Sequence, residues 1–370
     1  MKKVLFILGT IPEGIKLSPL ILAFRQSGLF ETKVCITAQH RELLDEVLSF
    51  FSIVPDYDLD IMKEAQTLSE ITSRIVAGVS NVVSDYQPDL IIVQGDTTTA
   101  FAGALVGFYS KIKIAHIEAG LRSHNKFSPF PEEINRVYIS KIADFHFAPT
   151  SVTLANLTNE GISENAWNVG NTVIDALLFG LELLRVGDHV LQERYNYLPP
   201  DRRLILVTSH RRENFGEPLK DICKVLLKVT ECHPDVEIVF PVHPNPNVRG
   251  TVDELLKGNK KIHLIQPLPY PELIWLMKKS YLILTDSGGI QEEAPSLGKP
   301  IIVMREETER MEGIDAGTAI LAGNRFDKIY YHLNSLLSNG ELYNKMATAV
   351  NPYGDGNTSR RILKILVEAL

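Results

Sequence analysis

The sequence is poor in cysteine: Cys35, Cys223 and Cys232 are the only three in 370 residues, and their spacing is unpatterned. A disulfide framework and a Cys/His zinc site are therefore excluded, and a reducing cytoplasm is the expected compartment. A positive surplus is missing too. Lys and Arg number 38 against 45 Asp and Glu, a formal net charge of −7. With no Lys/Arg block either, a nucleic-acid partner is not expected. No apolar run approaches the roughly 18 residues of a membrane span. Met1-Lys2-Lys3 followed by Val4 to Leu8 has the order of a signal peptide. The run stops at Gly9-Thr10-Ile11-Pro12-Glu13 without a small-residue cleavage site, so it reads as a buried first strand of a soluble protein. Tandem short repeats and low-complexity tracts are absent. What is present is ordinary globular composition, 45% hydrophobic and 22% charged, in a chain long enough for about two domains.

Short apolar runs alternate with helical patterns. Val4–Leu8, Lys33–Thr37, Leu90–Gln94, Ile112–Ile117 and Phe145–Phe147 read as strands, with helices at Lys16–Ser27, Arg41–Phe51, Thr67–Tyr86 and Thr98–Tyr109. Continuous apolar strands separated by helices predict parallel sheets covered on both faces. The pattern restarts with strands at Leu204–Thr208, Val236–Pro241, Ile262–Ile265, Leu282–Thr285 and Ile301–Met304. Its helices are Leu219–Glu231, Pro271–Lys279, Ile290–Leu297 and Phe326–Leu337. Asn168-Val169-Gly170-Asn171 separates the halves, giving domains 1–170 and 171–354. A break at 351–356 precedes a final helix, Thr358–Leu370. Open α/β sheets bind ligands beyond the carboxyl ends of their strands, so two such domains facing each other would enclose a cleft.

The polar residues that follow strands are the candidates. Gly9-Thr10-Ile11-Pro12-Glu13-Gly14-Ile15-Lys16 suits a phosphate at a helix start, or an ordinary βα turn; it is neither G-x-G-x-x-G nor a Walker A loop. Asp96, in Gly95-Asp96-Thr97-Thr98-Thr99, is placed to face a cleft or to cap a helix. Glu118, after the next strand, is a second cleft carboxylate or the partner of Arg122 or Arg136. Glu132 and Arg136 share a helix face, although Glu132 also suits a dipole-compensating first turn. His210-Arg211-Arg212 fits an anion, most simply a diphosphate. Asp286-Ser287-Gly288-Gly289 presents backbone N–H groups to a phosphate, and Glu293 stands one turn on, where it could accept from a ribose diol. Together these groups suggest acid–base chemistry on a nucleotide-activated ligand.

These segments resemble the non-hydrolysing UDP-N-acetylglucosamine 2-epimerases. The resemblance runs from Val4 to Gly356 and is carried by Gln39-His40-Arg41, the 95–99 and 116–122 segments, Ser128-Pro129-Phe130-Pro131-Glu132-Glu133, His210-Arg211-Arg212-Glu213-Asn214, and 286–298. It implies an α/β fold of two doubly wound Rossmann-like domains facing a cleft (glycosyltransferase-B-like), the C-terminal helix 355–370 joining the first domain. It also implies reversible epimerisation at C2 of UDP-GlcNAc to UDP-ManNAc, through loss of UDP and a 2-acetamidoglucal intermediate, feeding surface polysaccharide synthesis. Carried over by position, Asp96 is the C2 base, with Glu118 and Glu132 as proton donor or leaving-group partners. His210 and Arg211 face the diphosphate, and Arg136 binds phosphate or orients Glu132. Ser287, Gly288 and Gly289 hold phosphate, Glu293 holds the ribose, and Lys16 matches the first-loop lysine. Gln39 and His243 match a regulatory site of many bacterial members, while Ala65 stands where some have Arg. A homodimer is implied, with 68–83 as a candidate interface. No nicotinamide, other cofactor or metal is implied.

Two residues depart from the pattern. Ile11 replaces an Arg that would put a cation near the phosphates, leaving a slower enzyme, an altered substrate or a binding-only variant as alternatives. Met311 replaces a Pro. Alternatives that share the fold are a hydrolysing relative releasing ManNAc and UDP, an epimerase of another UDP-2-acetamido sugar, and a glycosyltransferase.

Overall fold

The computed structural model describes residues 1–37, 41–63 and 66–370, the side chains of Arg41, Glu42 and Asn247 excepted. The chain forms two compact units, Met1–Phe179 with Tyr353–Leu370, and Gly180–Pro352.

The first unit runs β1 (Lys2–Leu8), α1 (Ile11–Ser27), β2 (Phe30–Ile36), α2 (Arg41–Phe50), β3 (Tyr57–Asp58), α3 (Leu68–Tyr86), β4 (Leu90–Gln94), α4 (Thr98–Tyr109), β5 (Lys113–Ile117), α5 (Glu132–Ile142), β6 (Phe145–Ala148), α6 (Ser151–Asn159) and β7 (Ala166–Asn168). Its strands form one parallel sheet in the order β3-β2-β1-β4-β5-β6-β7. Val4–Leu8 and Leu90–Val93 are fully buried. Burying each such side chain is worth about 1.5–3 kcal/mol, which makes a central strand of this kind hard to displace from its register. That register pairs Phe6 with Ile92 and Gln94 with Ile117. The segments after β1, β4 and β5 therefore emerge side by side.

Helix α1 begins at Ile11, earlier than the sequence pattern predicts. Pro12 is tolerated in a first turn because its missing N–H would have no intrahelical partner there. The Glu13 carboxylate turns back to accept from Thr10 N at 2.7 Å. Gly9, just before, has no room for a side chain: a Cβ would lie 2.1 Å from Thr37 Oγ1.

Helix α7 (Thr172–Arg194) carries the chain from the first unit into the second, which continues with β8 (Arg203–Thr208), a 3-10 turn (Arg212–Asn214), α8 (Glu217–Cys232), β9 (Val236–Pro241), α9 (Pro246–Leu256), β10 (Ile262–Ile265), α10 (Tyr270–Lys279), β11 (Leu282–Thr285), α11 (Gly288–Glu293), a second 3-10 turn (Ala294–Leu297), β12 (Ile301–Val303), α12 (Met311–Asp315), β13 (Ala319–Leu321), α13 (Phe326–Ser338) and α14 (Gly340–Ala347). Its parallel order is β10-β9-β8-β11-β12-β13. In each sheet the strand order switches once, between β1 and β4 and between β8 and β11, while all strands stay parallel.

The final helix, α15 (Thr358–Ala369), packs on α1 of the first unit. Asp175 of α7 secures it by accepting from Ser359 N at 2.7 Å and Thr358 N at 3.2 Å. Gly170, at φ +95°, lies in this packed corner, where a Cβ would come within 2.7 Å of Thr358 Oγ1. The corner belongs wholly to the first unit, and the change of unit falls after Phe179, inside α7. No described helix is long and apolar enough to cross a membrane.

Candidate active site

In the first unit the candidate groups gather at the carboxyl ends of β1, β4 and β5. Glu118 follows β5 in the left-handed region, at φ +63°. Such backbone is sparsely populated for a non-glycine residue and concentrates at functional sites. Its carboxylate receives Lys16 Nζ at 2.7 and 2.8 Å, and Gln94 Nε2 donates to it as well. Lys16 is thus the partner of Glu118, in place of the Arg122 or Arg136 that the sequence suggested. Arg122 instead grips Glu160, at 2.6 and 2.9 Å.

Asp96 follows β4. Its carboxylate pairs with Arg136, which also meets Glu133 at 3.3 Å. Asn135 Nδ2 donates to the Asp96 carbonyl at 2.9 Å. Arg136 thus meets Asp96, where the expectation was that it binds phosphate or orients Glu132. Glu132 opens α5, and its Oε2 is buried with no hydrogen-bond partner among the described residues. Its neighbour Glu133 is spent on the preceding loop, accepting from Ser123 N and His124 N at 2.9 Å each.

Two buried groups missed by sequence reasoning shape this corner. Glu13, with no exposed surface, accepts from Gly9 N at 2.9 Å, Thr10 N at 2.7 Å and Thr97 Oγ1 at 2.6 Å. Burial raises its carboxyl pKa, against the lowering effect of those bonds. It ties the turn after β1 to the residue following Asp96. His116 lies within 2.7 Å of the Gly95 carbonyl through Nε2. Burial takes its pKa down to about 3, so the ring is neutral and Nε2–H is the donor. Glu13 stood in a quoted motif, and only its complete burial separates it from an ordinary first-turn acid.

The second unit collects its groups at the ends of β8, β9 and β11. A pocket of about 230 Å³ is lined by Ser209, His210, His243 and Ser287 and walled by apolar residues including Leu273 and Ile290. His243, assigned by resemblance to a regulatory site, thus shares one pocket with His210. Gln39, its proposed companion, lies outside the described residues. Below the pocket Asp286 is fully buried and accepts from the 209–214 loop. Burial lowers the His210 pKa, and the Asp286 charge opposes that shift.

The Ser287-Gly288-Gly289 segment opens α11, although Ser287 N already donates to Thr285 Oγ1 at 2.9 Å. Gly288 leaves room for Arg310, whose Cζ would lie 3.2 Å from a Cβ there. Glu293 is buried and accepts from Tyr270 OH at 2.9 Å. Arg211 approaches Glu309 at 3.9 Å, and Arg305 and Arg310 bind the same carboxylate. Burial pushes Glu309 up, but Arg310 and Arg305 hold it at about 2. Among the described residues, no group of three or more His, Cys, Asp or Glu is arranged to hold a metal ion.

Two parallel sheets of Rossmann order, one ending in paired carboxylates and cations and the other in a histidine-lined pocket above a buried aspartate, define a two-domain α/β protein of Rossmann type. Comparison with known proteins narrows the class. The family model described as UDP-N-acetylglucosamine 2-epimerase matches residues 22–367. The UDP-N-acetylglucosamine 2-epimerase of Yersinia pestis is 50% identical over 368 residues, 98% of each chain. The crystal structure of UDP-GlcNAc 2-epimerase from Neisseria meningitidis bound to UDP-GlcNAc is 47% identical, with a TM-score of 0.92 over 99% of this chain and 100% of that one. The Methanocaldococcus jannaschii UDP-GlcNAc 2-epimerase in complex with UDP-GlcNAc and UDP is 36% identical, with a TM-score of 0.83 over 99% of both chains. The chain belongs to the UDP-N-acetylglucosamine 2-epimerase family.

Proposed function

We propose that this protein interconverts UDP-GlcNAc and UDP-ManNAc without net hydrolysis. The observation that carries the reading is the end-to-end similarity to a structure holding UDP-GlcNAc; the acid–base inventory of the first unit supports the chemistry. The C2 proton is weakly acidic, so its removal needs a positioned carboxylate. Asp96, oriented by Arg136 and Asn135, is that base. Its attack forms the C1–C2 double bond while the C1–O bond breaks and UDP leaves. Whichever of Glu118, held by Lys16, and Glu132, whose Oε2 has no partner among the described residues, is protonated returns a proton to the opposite face of C2.

The departing diphosphate needs cations and oriented N–H donors. His210, Arg211 and the backbone N–H groups of Gly288 and Gly289 supply them, and the Ser287 hydroxyl adds an O–H donor. Glu293 takes the ribose, and the apolar walls beside His243 accept the base. Re-addition of UDP to the glucal completes the epimerisation, with no redox change and no call on a cofactor.

The working form is a homodimer. Phe108 and Tyr109, at 55% and 69% exposure, offer an apolar surface on α4 for it. The 68–83 stretch is less suited, because its Ile75, Val79, Val82 and Val83 are buried in the unit's own core. Light scattering tests this: a mass of twice the chain is expected, and the single-chain mass contradicts it.

Proton NMR of the reaction products tests the activity itself. UDP-ManNAc at equilibrium with UDP-GlcNAc is expected. Free ManNAc and UDP would overturn the non-hydrolysing outcome, and an unchanged substrate would overturn the activity.

A further inference from the structure

Asp286 is the most heavily used side chain of the second unit's site. It is fully buried at the end of β11 and is bonded to one loop throughout. Ser209 Oγ, His210 N and Arg211 N donate to its Oδ2 at 3.0 Å, and Asn214 Nδ2 does so at 2.9 Å. Its other oxygen, Oδ1, lies 3.2 Å from His210 Nδ1. Oδ1 accepts from His210 N at 3.1 Å, and the ring nitrogen meets it as a close ion-pair contact; a lone pair on Nδ1 would repel the carboxylate there, so that nitrogen carries the hydrogen. The neutral ring is then the Nδ1–H tautomer with its lone pair on Nε2. A proton gained at Nε2 turns that edge into a cationic donor.

We infer that Asp286 is the positioning residue for His210: it fixes the Nδ1–H tautomer and supports the imidazolium whose Nε2–H bonds the phosphate oxygen of departing UDP. This rests on the epimerase reading above. The C2 proton passes to Asp96 and the C1–O electron pair stays on the phosphate oxygen, so the ring need only donate a hydrogen bond. Burial acts against a charge on the ring and Asp286 favours it, while Arg211, His243 and Arg305 add to the effect of burial. The arrangement parallels the histidine–aspartate pairs of hydrolases, where the acid sets tautomer and orientation rather than taking the proton.

The test uses full-length protein labelled with ¹⁵N and ¹³C histidine, the His210 signals being identified by their loss in His210→Ala. In the wild-type protein above its titration midpoint, long-range ¹H–¹⁵N spectra should show Nδ1 protonated and Nε2 bare. In Asp286→Asn, checked for folding by circular dichroism and Trp275 fluorescence, the His210 midpoint should fall by about one pH unit. The alkaline limb of kcat should move down with it, because the required form is the protonated one, and kcat at pH 8 should drop about 10- to 100-fold. If this variant fails to fold, the wild-type tautomer decides alone. An active enzyme with His210 in the Nε2–H tautomer, or an Asp286→Asn midpoint equal to wild type, overturns the positioning role and leaves the epimerase reading intact. A protein that turns nothing over overturns that reading, and this role with it, whatever the tautomer.

Discussion

Removing the Glu13 carboxylate should loosen the corner that holds Asp96. The side chain is wholly buried and serves Gly9 N, Thr10 N and Thr97 Oγ1. Glu13→Ala strands two buried backbone donors, at about 1–3 kcal/mol each, and leaves a void besides. The expected loss is about 3–6 kcal/mol, a large part of the roughly 5–15 kcal/mol typical of a domain. Glu13→Gln keeps one oxygen for the two backbone donors and turns its amide to the Thr97 hydroxyl, so about 1–2 kcal/mol is expected. Burial raises the Glu13 carboxyl above 4.5. The folded state therefore binds more protons than the unfolded one in the window above that value, and stability falls as pH rises through the folded pKa. The Gln variant does not titrate and should flatten this slope. Urea unfolding in a Trp275→Phe background reads the first unit through Trp167, which stacks on Phe147 at 5.5 Å. An Ala variant within 1 kcal/mol of wild type, or a Gln variant as damaged as Ala, would refute the argument.

Asp96→Asn, Glu118→Gln and Glu132→Gln should each lower kcat by about 10²- to 10⁴-fold with folding intact; a variant at full rate removes its residue from the mechanism. Ile11→Arg adds a cation at the start of α1 and should raise kcat/KM by roughly 10- to 150-fold, the worth of one hydrogen bond to a charged group; an unchanged ratio means the position does not reach the phosphates. His116 and His146 are buried with pKa values of about 3 and about 4, so they are neutral when folded and charge when unfolded below 6.5. Stability should therefore fall as pH drops, by about 2 kcal/mol per histidine between pH 7 and 5, and replacing either with Phe should remove its share of the slope in urea midpoints. Asp175→Ala should free the start of α15, visible as faster hydrogen exchange at Thr358 and Ser359; protection equal to wild type would place the anchor elsewhere.

The sheets were legible because their strands are buried on both faces and read as continuous apolar runs. Val4–Leu8 and Leu90–Gln94 are examples. β3, β7 and β13 were not legible, being two or three residues long, with pairing supplied by a neighbouring strand rather than by their own composition. The start of α1 hid behind Pro12. The predicted helix at Ile290–Leu297 is α11 from Gly288 followed by a 3-10 turn, which begins at Ala294 beside Pro295. At the site, Asp96, Glu118 and His210 stood out because each lies within two residues of a strand's carboxyl end. Their partners did not. Lys16 and Glu118 are 102 positions apart, and Arg136 and Asp96 are 40 apart, so only the register of the sheet pairs them. Asp286 and Glu13 look like ordinary turn acids until their burial is known.

The central claim is proton abstraction at C2, and solvent isotope incorporation tests it most directly. Purified protein incubated with UDP-GlcNAc in deuterated water should return UDP-GlcNAc and UDP-ManNAc that both carry deuterium at C2, with the label absent in Asp96→Asn. Formation of UDP-ManNAc that retains its original C2 proton would contradict the account, as would exchange undiminished in Asp96→Asn.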